Sequence, residues 1–308
     1  MSPARRSAEV TDLRAGALLV EATTHLTDTG SGTPRLDAEL LVSHAFGRDR
    51  SWLHAHPEAV LDAETAASLR GWVRRRAEGE PVAYIRGFKE WFGMRIITDS
   101  RALIPRPETE LLAEAGIAEI AARLARDSKT VIVWEVGTGS GAIALALAQR
   151  FRAALTLSRV RLVASDLSPD ALELASENLA LRGVAPLVTL AVADLMDGFG
   201  DGPMMPDVVI ANLPYVNRSV VRSAPGSLAY EPSIALDGGP DGLDTIRRLL
   251  AQLPNRLAPG GVALLEVGNG QAAAVGELAG ALGIRAAITT IPDLAGIDRV
   301  VRIARLDA

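Results

Sequence analysis

Cysteine is missing from the chain altogether, which removes disulfides, thiolate nucleophiles and cysteine-ligated metals together and suits a reducing compartment. Histidine is scarce and lopsided: all four, His25, His44, His54 and His56, fall in the first fifth of the sequence. The chemistry of the remainder therefore uses no imidazole base, acid or metal ligand, and no metal site is expected. The four are read as surface or core residues of a helical domain. No apolar run approaches the roughly 20 residues of a membrane span. The longest is Ala142 to Ala148, and the N-terminus lacks the apolar core of a signal peptide. A cytoplasmic protein without a membrane partner is expected. An excess of positive charge is lacking too: a formal net charge of −5 argues against affinity built mainly on phosphate neutralisation and disfavours nucleic acid as a partner. What the chain does have is 308 residues, 48% of them hydrophobic, enough to bury one large core and a second small one. Two domains are expected.

From about Ser7 to Ala77 the apolar residues recur with helical spacing, as in Leu13, Ala17, Leu18 and Val20 and again in Ala38, Leu40, Leu41 and His44, with breaks at Gly30-Ser31-Gly32 and near Pro57. A small helical bundle fits. Between Pro81 and Thr98 the composition turns β-branched and aromatic, with Val82, Tyr84, Ile85, Phe88, Trp91, Phe92 and Met94 punctuated by Gly87 and Gly93, which predicts a β-hairpin linker. The run Leu103 to Glu110 places Pro107 at a first helical turn and two glutamates at its positive end. Strand and helix signals then alternate. Val131–Val136, Val160–Ser165, Leu187–Ala193, Asp207–Ala211 and Gly261–Val267 read as strands, with a late one at Arg299–Ala304. Helices are expected at Gly141–Arg150, from the Ser168-Pro169 cap to Gly183, and at Asp241–Leu257. Near-continuous apolar strands separated by helices indicate an α/β fold with a parallel sheet covered on both faces.

Glu135-Val136-Gly137-Thr138-Gly139-Ser140-Gly141 follows the first of these strands and opens a helix, so the backbone can approach a ligand where no side chain intervenes. A nucleotide site is implied. The relaxed glycine pattern also suits a nicotinamide-dependent oxidoreductase, or a purely structural turn. Asp166 ends the next strand, where a carboxylate can accept from both ribose hydroxyls, and Asp194 follows the third, where it can meet an adenine amino group. Either could instead be a helix-start or solvated loop residue; the pair behind a glycine loop suits adenosine. Asn212-Leu213-Pro214-Tyr215 at the tip of the fourth strand separates methyl transfer from hydride transfer. An amide nitrogen is a poor nucleophile, and acceptors for its two hydrogens favour the pyramidal geometry needed to attack a methyl sulfonium. The Asn212 side-chain oxygen and the Leu213 carbonyl are the expected acceptors, with Pro214 stiffening the turn and Tyr215 forming an aromatic wall. Taken alone, an Asn-x-Pro turn with a packing tyrosine is the plainer reading. A sulfonium already activates its methyl group, so alignment and desolvation matter more than a base or a metal. The cofactor expected is S-adenosylmethionine.

These motifs, together with Gly79 to Ile85, Leu103 to Leu112, Tyr230-Glu231-Pro232, Ala235 to Leu243 and Asp293-Leu294-Ala295-Gly296 with Arg299, give the chain a resemblance to the HemK-type family of peptide chain release factor glutamine methyltransferases over nearly its whole length. The resemblance implies an N-terminal helical substrate-recognition domain (1–80), a β-hairpin linker (81–102) and a Rossmann-like class I methyltransferase domain (103–308). It further implies methylation of the glutamine in a Gly-Gly-Gln loop of release factors, the protein partners. A monomer is expected. The cofactor residues so implied are Glu135, Gly137, Thr138, Gly139, Ser140, Gly141, Asp166, Asp194, Leu195 and Asn212; the catalytic ones are Asn212, Leu213, Pro214 and Tyr215.

The chain departs from the family at Leu213, where a second proline is usual; Asn-Leu-Pro-Tyr resembles the motif of ribosomal RNA adenine dimethyltransferases, so an adenine methyltransferase acting on RNA or DNA is the alternative. The backbone carbonyl survives the change, while the fixed φ is lost and an N–H is gained. Leu195 stands where relatives can hold an aromatic residue packing on adenine. The glycines of Asp237 to Gly242 suit a loop beside the acceptor channel or any tight turn before a helix. Arg106, between two prolines, either helps close the cofactor pocket or pairs with Glu108 or Glu110.

Overall fold

In the computed structural model the described residues are 12–197, 205–223, 226–283 and 285–306, so the start of the expected helical run, Ser7 to Thr11, lies outside them. The chain forms two compact units, one from Met1–Arg86 with Pro225–Tyr230 and the other from Gly87–Ala224 with Glu231–Ala308.

The first unit is helical: α1 (Ala15–Asp28), α2 (Pro34–Phe46), α3 (Arg50–Ala55), α4 (Ala63–Ala77) and α5 (Val82–Arg86). Leu18, Leu41, Leu53, Leu69 and Ile85 meet in its core. Asp49 and Asp62 cap α3 and α4 by accepting from the backbone N–H of Trp52 and Thr65, the usual device for satisfying free first-turn donors. The expected hairpin over Pro81 to Thr98 is split. Tyr84 and Ile85 donate to the Pro81 carbonyl at 3.0 and 3.1 Å, closing a helical turn, and Ile85 is buried in the helical core. Burial outweighs the strand preference of Val82, Tyr84 and Ile85. The later segment Gly226–Tyr230 belongs to this unit, where the Tyr230 hydroxyl donates to the Glu78 carbonyl at 3.3 Å.

The second unit opens with the antiparallel hairpin β1 (Phe88–Trp91) and β2 (Met94–Ile97), then runs through α6 (Glu108–Arg126), β3 (Val131–Val136), α7 (Ala142–Arg150), α8 (Arg152–Thr156), β4 (Val160–Asp166), α9 (Pro169–Leu181), β5 (Val188–Val192), β6 (Val208–Ala211), α10 (Arg218–Ser223), α11 (Asp244–Arg256), β7 (Val262–Glu266), α12 (Ala272–Ala281), β8 (Ala286–Pro292) and β9 (Asp298–Arg305). Its sheet has the order β5-β4-β3-β6-β7-β9-β8. The first five strands are parallel, as expected. β9 inserts antiparallel between β7 and β8, so the sheet is mixed rather than wholly parallel. One face buries Ile120, Val133, Leu145, Leu162 and Ile210; the other buries Trp134, Val209, Ile246, Leu249 and Leu265. Because successive side chains alternate across a strand, Val133 and Trp134 feed opposite layers. The strand order reverses between β3 and β6, and α/β sheets open a crevice at the carboxyl ends of the strands beside such a reversal.

Candidate active site

A cavity of about 420 Å³ lies at that crevice, within the size range of small-molecule sites. Much of its wall comes from the carboxyl-terminal ends of strands, with residues of several helices and of Pro232 to Ala235 completing it. The glycine turn after β3 supplies Gly137 to Ser140, the end of β4 supplies Asp166 to Ser168, and Ala193 to Leu195 follow β5. Asn212 to Pro214 follow β6, and Ala102, Leu103 and Pro105 close one side.

Gly137, Gly139 and Gly141 adopt φ of 74°, 54° and 77°, the left-handed region that L side chains avoid. They differ in what they face. A Cβ on Gly137 would sit 3.1 Å from the Leu213 side chain, and one on Gly141 only 2.9 Å from Ala175 of α9. Gly141 therefore serves helix packing and is absent from the cavity wall, unlike Thr138, Gly139 and Ser140. Buried Asn178 fastens the turn by donating to the Ser140 carbonyl at 2.9 Å, and it joins β2 through both N–H and carbonyl of Ile97.

Four acidic residues line this space; Asp237 pairs with Arg218 at 2.9 Å, and the other three differ in their surroundings. Glu135 is fully buried on β3, and desolvation pushes its pKa up to about 8, Asp166 adding repulsion and Thr138 partly opposing it. Its Oε2 and the Thr138 hydroxyl are both buried without a partner in hydrogen-bond geometry. Asp166 also has a raised pKa, from burial, although its oxygens accept from Gly139 N–H at 2.8 Å and Ser168 N–H at 2.9 Å. A carboxylate has about four lone-pair positions, so capacity for a ligand remains. Asp194 is half-exposed and holds Arg248 of α11 at 2.7 Å. Leu195 beside it is buried with φ of 58°, an unusual conformation for a side-chain-bearing residue and a mark of local strain.

At the tip of β6, the Asn212 Nδ2 donates to the Thr109 hydroxyl oxygen at 3.0 Å. That leaves its Oδ1 as the outward acceptor. Leu213 is buried against Gly137, and its neighbours Asn212 and Pro214 line the cavity with it. Tyr215 does not line the cavity. Its hydroxyl donates to Glu266 at the end of β7 at 3.1 Å, and burial beside that carboxylate raises its pKa.

The Asp237 to Gly242 segment is strapped onto this turn. Val216 donates to the Leu236 carbonyl and Gly238 back to the Val216 carbonyl, each at 2.9 Å. A Cβ on Gly238 would lie 2.7 Å from the Pro214 carbonyl oxygen, and one on Gly242 would run into the Tyr215 carbonyl. These glycines exist for close backbone approach, beyond what a helix-preceding turn requires.

The chain is similar to curated relatives over almost its full length. A release factor glutamine methyltransferase of Rhodopirellula baltica is 38% identical over 90% of this chain and 91% of its own length. One of Moorella thermoacetica is 37% identical over 91% of this chain and 95% of its own. The chain belongs to the release factor glutamine methyltransferase family. Within it, residues 17–87 match the PrmC N-terminal domain, and residues 117–216 match the model of ribosomal protein L11 methyltransferase. The solved hMettl16 catalytic domain, bound to a MAT2A 3′UTR hairpin, shares the fold at a TM-score of 0.53 with 14% identity, over 82% of this chain and 84% of that one.

Several residues of this glutamine methyltransferase relative escape a reading of the sequence. Arg106 pairs with neither Glu108 nor Glu110. It reaches Glu231 at 2.5 Å, and that buried carboxylate also accepts the Ile104 N–H at 3.0 Å, so the turn carrying the cavity-lining Leu103 and Pro105 is pinned to Glu231. Glu110 instead accepts from the Phe92 N–H at 2.7 Å. Thr109, Glu266 and Arg248 carry no periodic signal. Glu266 alone obeys a rule that could have found it, being a polar residue at the carboxyl end of a parallel strand like Asp166. Among the described residues no group of three or more acidic or histidine side chains is placed to hold a metal, and no helix is long and apolar enough to cross a membrane.

Proposed function

We propose that this chain transfers the methyl group of S-adenosylmethionine to the side-chain amide nitrogen of the glutamine in the Gly-Gly-Gln loop of peptide chain release factors. The observation that carries the proposal is the Asn212 carboxamide, held through its nitrogen by Thr109 so that its oxygen is the end offered to a substrate at the β6 tip. The residues present fit the cofactor. Glu135 Oε2 and Thr138 Oγ1 are buried polar atoms in want of a partner, Asp166 keeps acceptor capacity, and the glycine turn admits a ligand against bare backbone. Glu135, Asp166, Asp194 and the turn from Gly137 to Ser140 would hold it. When bound, it supplies a methyl group already activated by a positively charged sulfur.

The chain's own task is then to make a sluggish nitrogen reactive. Oδ1 of Asn212 and the Leu213 carbonyl accept from the two amide hydrogens, which favours a pyramidal nitrogen and offsets the lost amide resonance. Leu213, buried at 4% exposure, keeps this carbonyl in place by packing on Gly137 where the family's proline would fix φ. Alignment does most of the remaining work. Incubation with labelled S-adenosylmethionine and a release factor should label the factor, and replacing its Gly-Gly-Gln glutamine by alanine should abolish the label. Label that persists in the alanine factor, or that enters RNA instead, overturns the assignment.

A further inference from the structure

The turn that carries Asp194 into the cavity wall is held from outside by α11. Arg248, Gln252 and Arg256 follow one another at intervals of four along that helix and so fall on one side of it. Arg248 donates to Asp194 Oδ2 at 2.7 Å. Gln252 uses both ends of its carboxamide: Oε1 accepts the Met196 N–H at 2.9 Å, and Nε2 donates to Asp197 Oδ2 at 2.7 Å. These partners fix the direction of the carboxamide, because a backbone N–H needs an acceptor and a carboxylate needs a donor. Arg256 reaches Asp197 at 3.5 Å. The turn closes on itself where the Asp197 N–H donates to the Asp194 carbonyl at 3.1 Å, and its start is tied to β4 where the Ala193 N–H donates to the Asp166 carbonyl at 3.0 Å. Between Asp194 and Met196 lies Leu195, with its φ of 58°.

We infer that Gln252 is a positioning residue which, by gripping Met196 and Asp197, holds Leu195 in its left-handed conformation and so aims Asp194 at the purine of the cofactor, making the site selective for a 6-amino over a 6-oxo purine. A leucine stays at positive φ only where its surroundings over-determine it. The bonds of Gln252 fall on the two residues after Leu195 and the bond of Arg248 on the residue before, so the strained position is bracketed. Arg248 takes Oδ2 of Asp194, which leaves Oδ1 to accept from a ligand. An ionised carboxylate accepts and never donates. It therefore attracts the amino group of adenine and repels the oxygen that replaces it in hypoxanthine. Gln252 stands behind the cavity wall rather than in it, and the β6 tip lies on another strand end, so its influence falls on cofactor choice and not on the methyl acceptor. The inference rests on Asp194 holding the cofactor as proposed above.

The test titrates the full chain calorimetrically with S-adenosylhomocysteine and with S-inosylhomocysteine, which differ at position 6 of the purine. Wild type should prefer the adenine compound roughly 10- to 100-fold, the worth of one hydrogen bond to a charged group. Gln252→Met, close in length but without either polar end, should lose most of that preference, while kcat at saturating S-adenosylmethionine stays near that of wild type. Gln252→Glu keeps the acceptor for Met196 but sets a second carboxylate against Asp197, and should lose part of the preference. Adding Asp197→Asn lets the new amide donate to the new carboxylate and should restore it. Melting temperatures identify a variant that fails to fold; if Gln252→Met is one, the glutamate series decides. Equal wild-type affinity for the two compounds, a full preference in a folded Gln252→Met, or a double variant no more selective than Gln252→Glu overturns the inference. A wild-type chain that binds neither compound overturns the functional reading instead.

Discussion

Replacing Asn212 by alanine separates the acceptor role of the β6 tip from its structural role, because the two have different magnitudes. Structurally the side chain makes one hydrogen bond, to Thr109. Removing it deletes a donor and strands none, since Thr109 keeps its own proton, so about 1 kcal/mol of stability is lost. For a chain of this size that lowers Tm by roughly 2–4 °C. In the reaction, Oδ1 is one of two acceptors aimed at the hydrogens of the attacking nitrogen. Deleting one group so aimed typically costs about 10²- to 10³-fold in kcat, or about 2.7–4 kcal/mol. The assay is single-turnover transfer of labelled methyl to a release factor, beside calorimetric titration of S-adenosylhomocysteine and a thermal melt. Transfer should fall by at least about a hundredfold while the melt moves by a few degrees and product affinity changes little. Full turnover, or a loss of product affinity as large as the loss of rate, would refute the reasoning, since either places the side chain elsewhere than against the acceptor.

Asp166→Ala should do the reverse, weakening S-adenosylhomocysteine about 10- to 100-fold, the equivalent of one or two charge-assisted hydrogen bonds; calorimetric affinity equal to wild type would contradict it. Glu231→Ala removes the carboxylate shared by Arg106 and the Ile104 N–H and should cost about 2–3 kcal/mol in urea unfolding, an unchanged midpoint showing that the turn is held otherwise. Gly238→Ala puts a methyl group 2.7 Å from the Pro214 oxygen and should cost about 1–3 kcal/mol together with most of the methyl transfer, so a stable and active variant would disprove the strapping role. Glu135 is held up at about 8 from a usual 4.5, so the folded ligand-free protein binds the extra proton and its stability should rise as pH falls from about 8 toward 4.5. Denaturant midpoints across that window should show a steeper slope in wild type than in Glu135→Gln, Asp166 contributing to what remains; equal slopes would mean the carboxyl is not buried as described.

The parts of the fold legible in the sequence are those in which local pattern and tertiary role coincide. β3, β4 and β6 are buried on both faces and read as apolar runs, and Ser168-Pro169 announces α9 through a cap whose side chain accepts from Ala171 N–H at 3.2 Å. α5 was hidden because its residues favour strands and its helical state is decided by Ile85 reaching the core. β8 escaped because only Ala287, Thr289, Thr290 and Pro292 at its exposed positions, alternating with half-buried ones, mark an edge strand of little hydrophobicity. The antiparallel insertion of β9 leaves no trace in a pattern that reports burial and not direction. At the site, strand ends gave Asp166 and Asn212, and the glycine spacing gave the turn. Arg248 and Glu231 acquire their partners from residues 54 and 125 positions away, a relation that no local spacing encodes. Gly141 was read with its neighbours as facing the ligand, whereas its missing side chain makes room for α9.

The contacts of Gly238 and Gly242 have an evolutionary consequence. Both press on main-chain carbonyls, which every amino acid carries, so no substitution at positions 214 or 215 can make room for a larger residue at either glycine. A lineage that loses one of them has no local second-site change with which to recover, and the β6 tip and its strap are bound to persist or fail together.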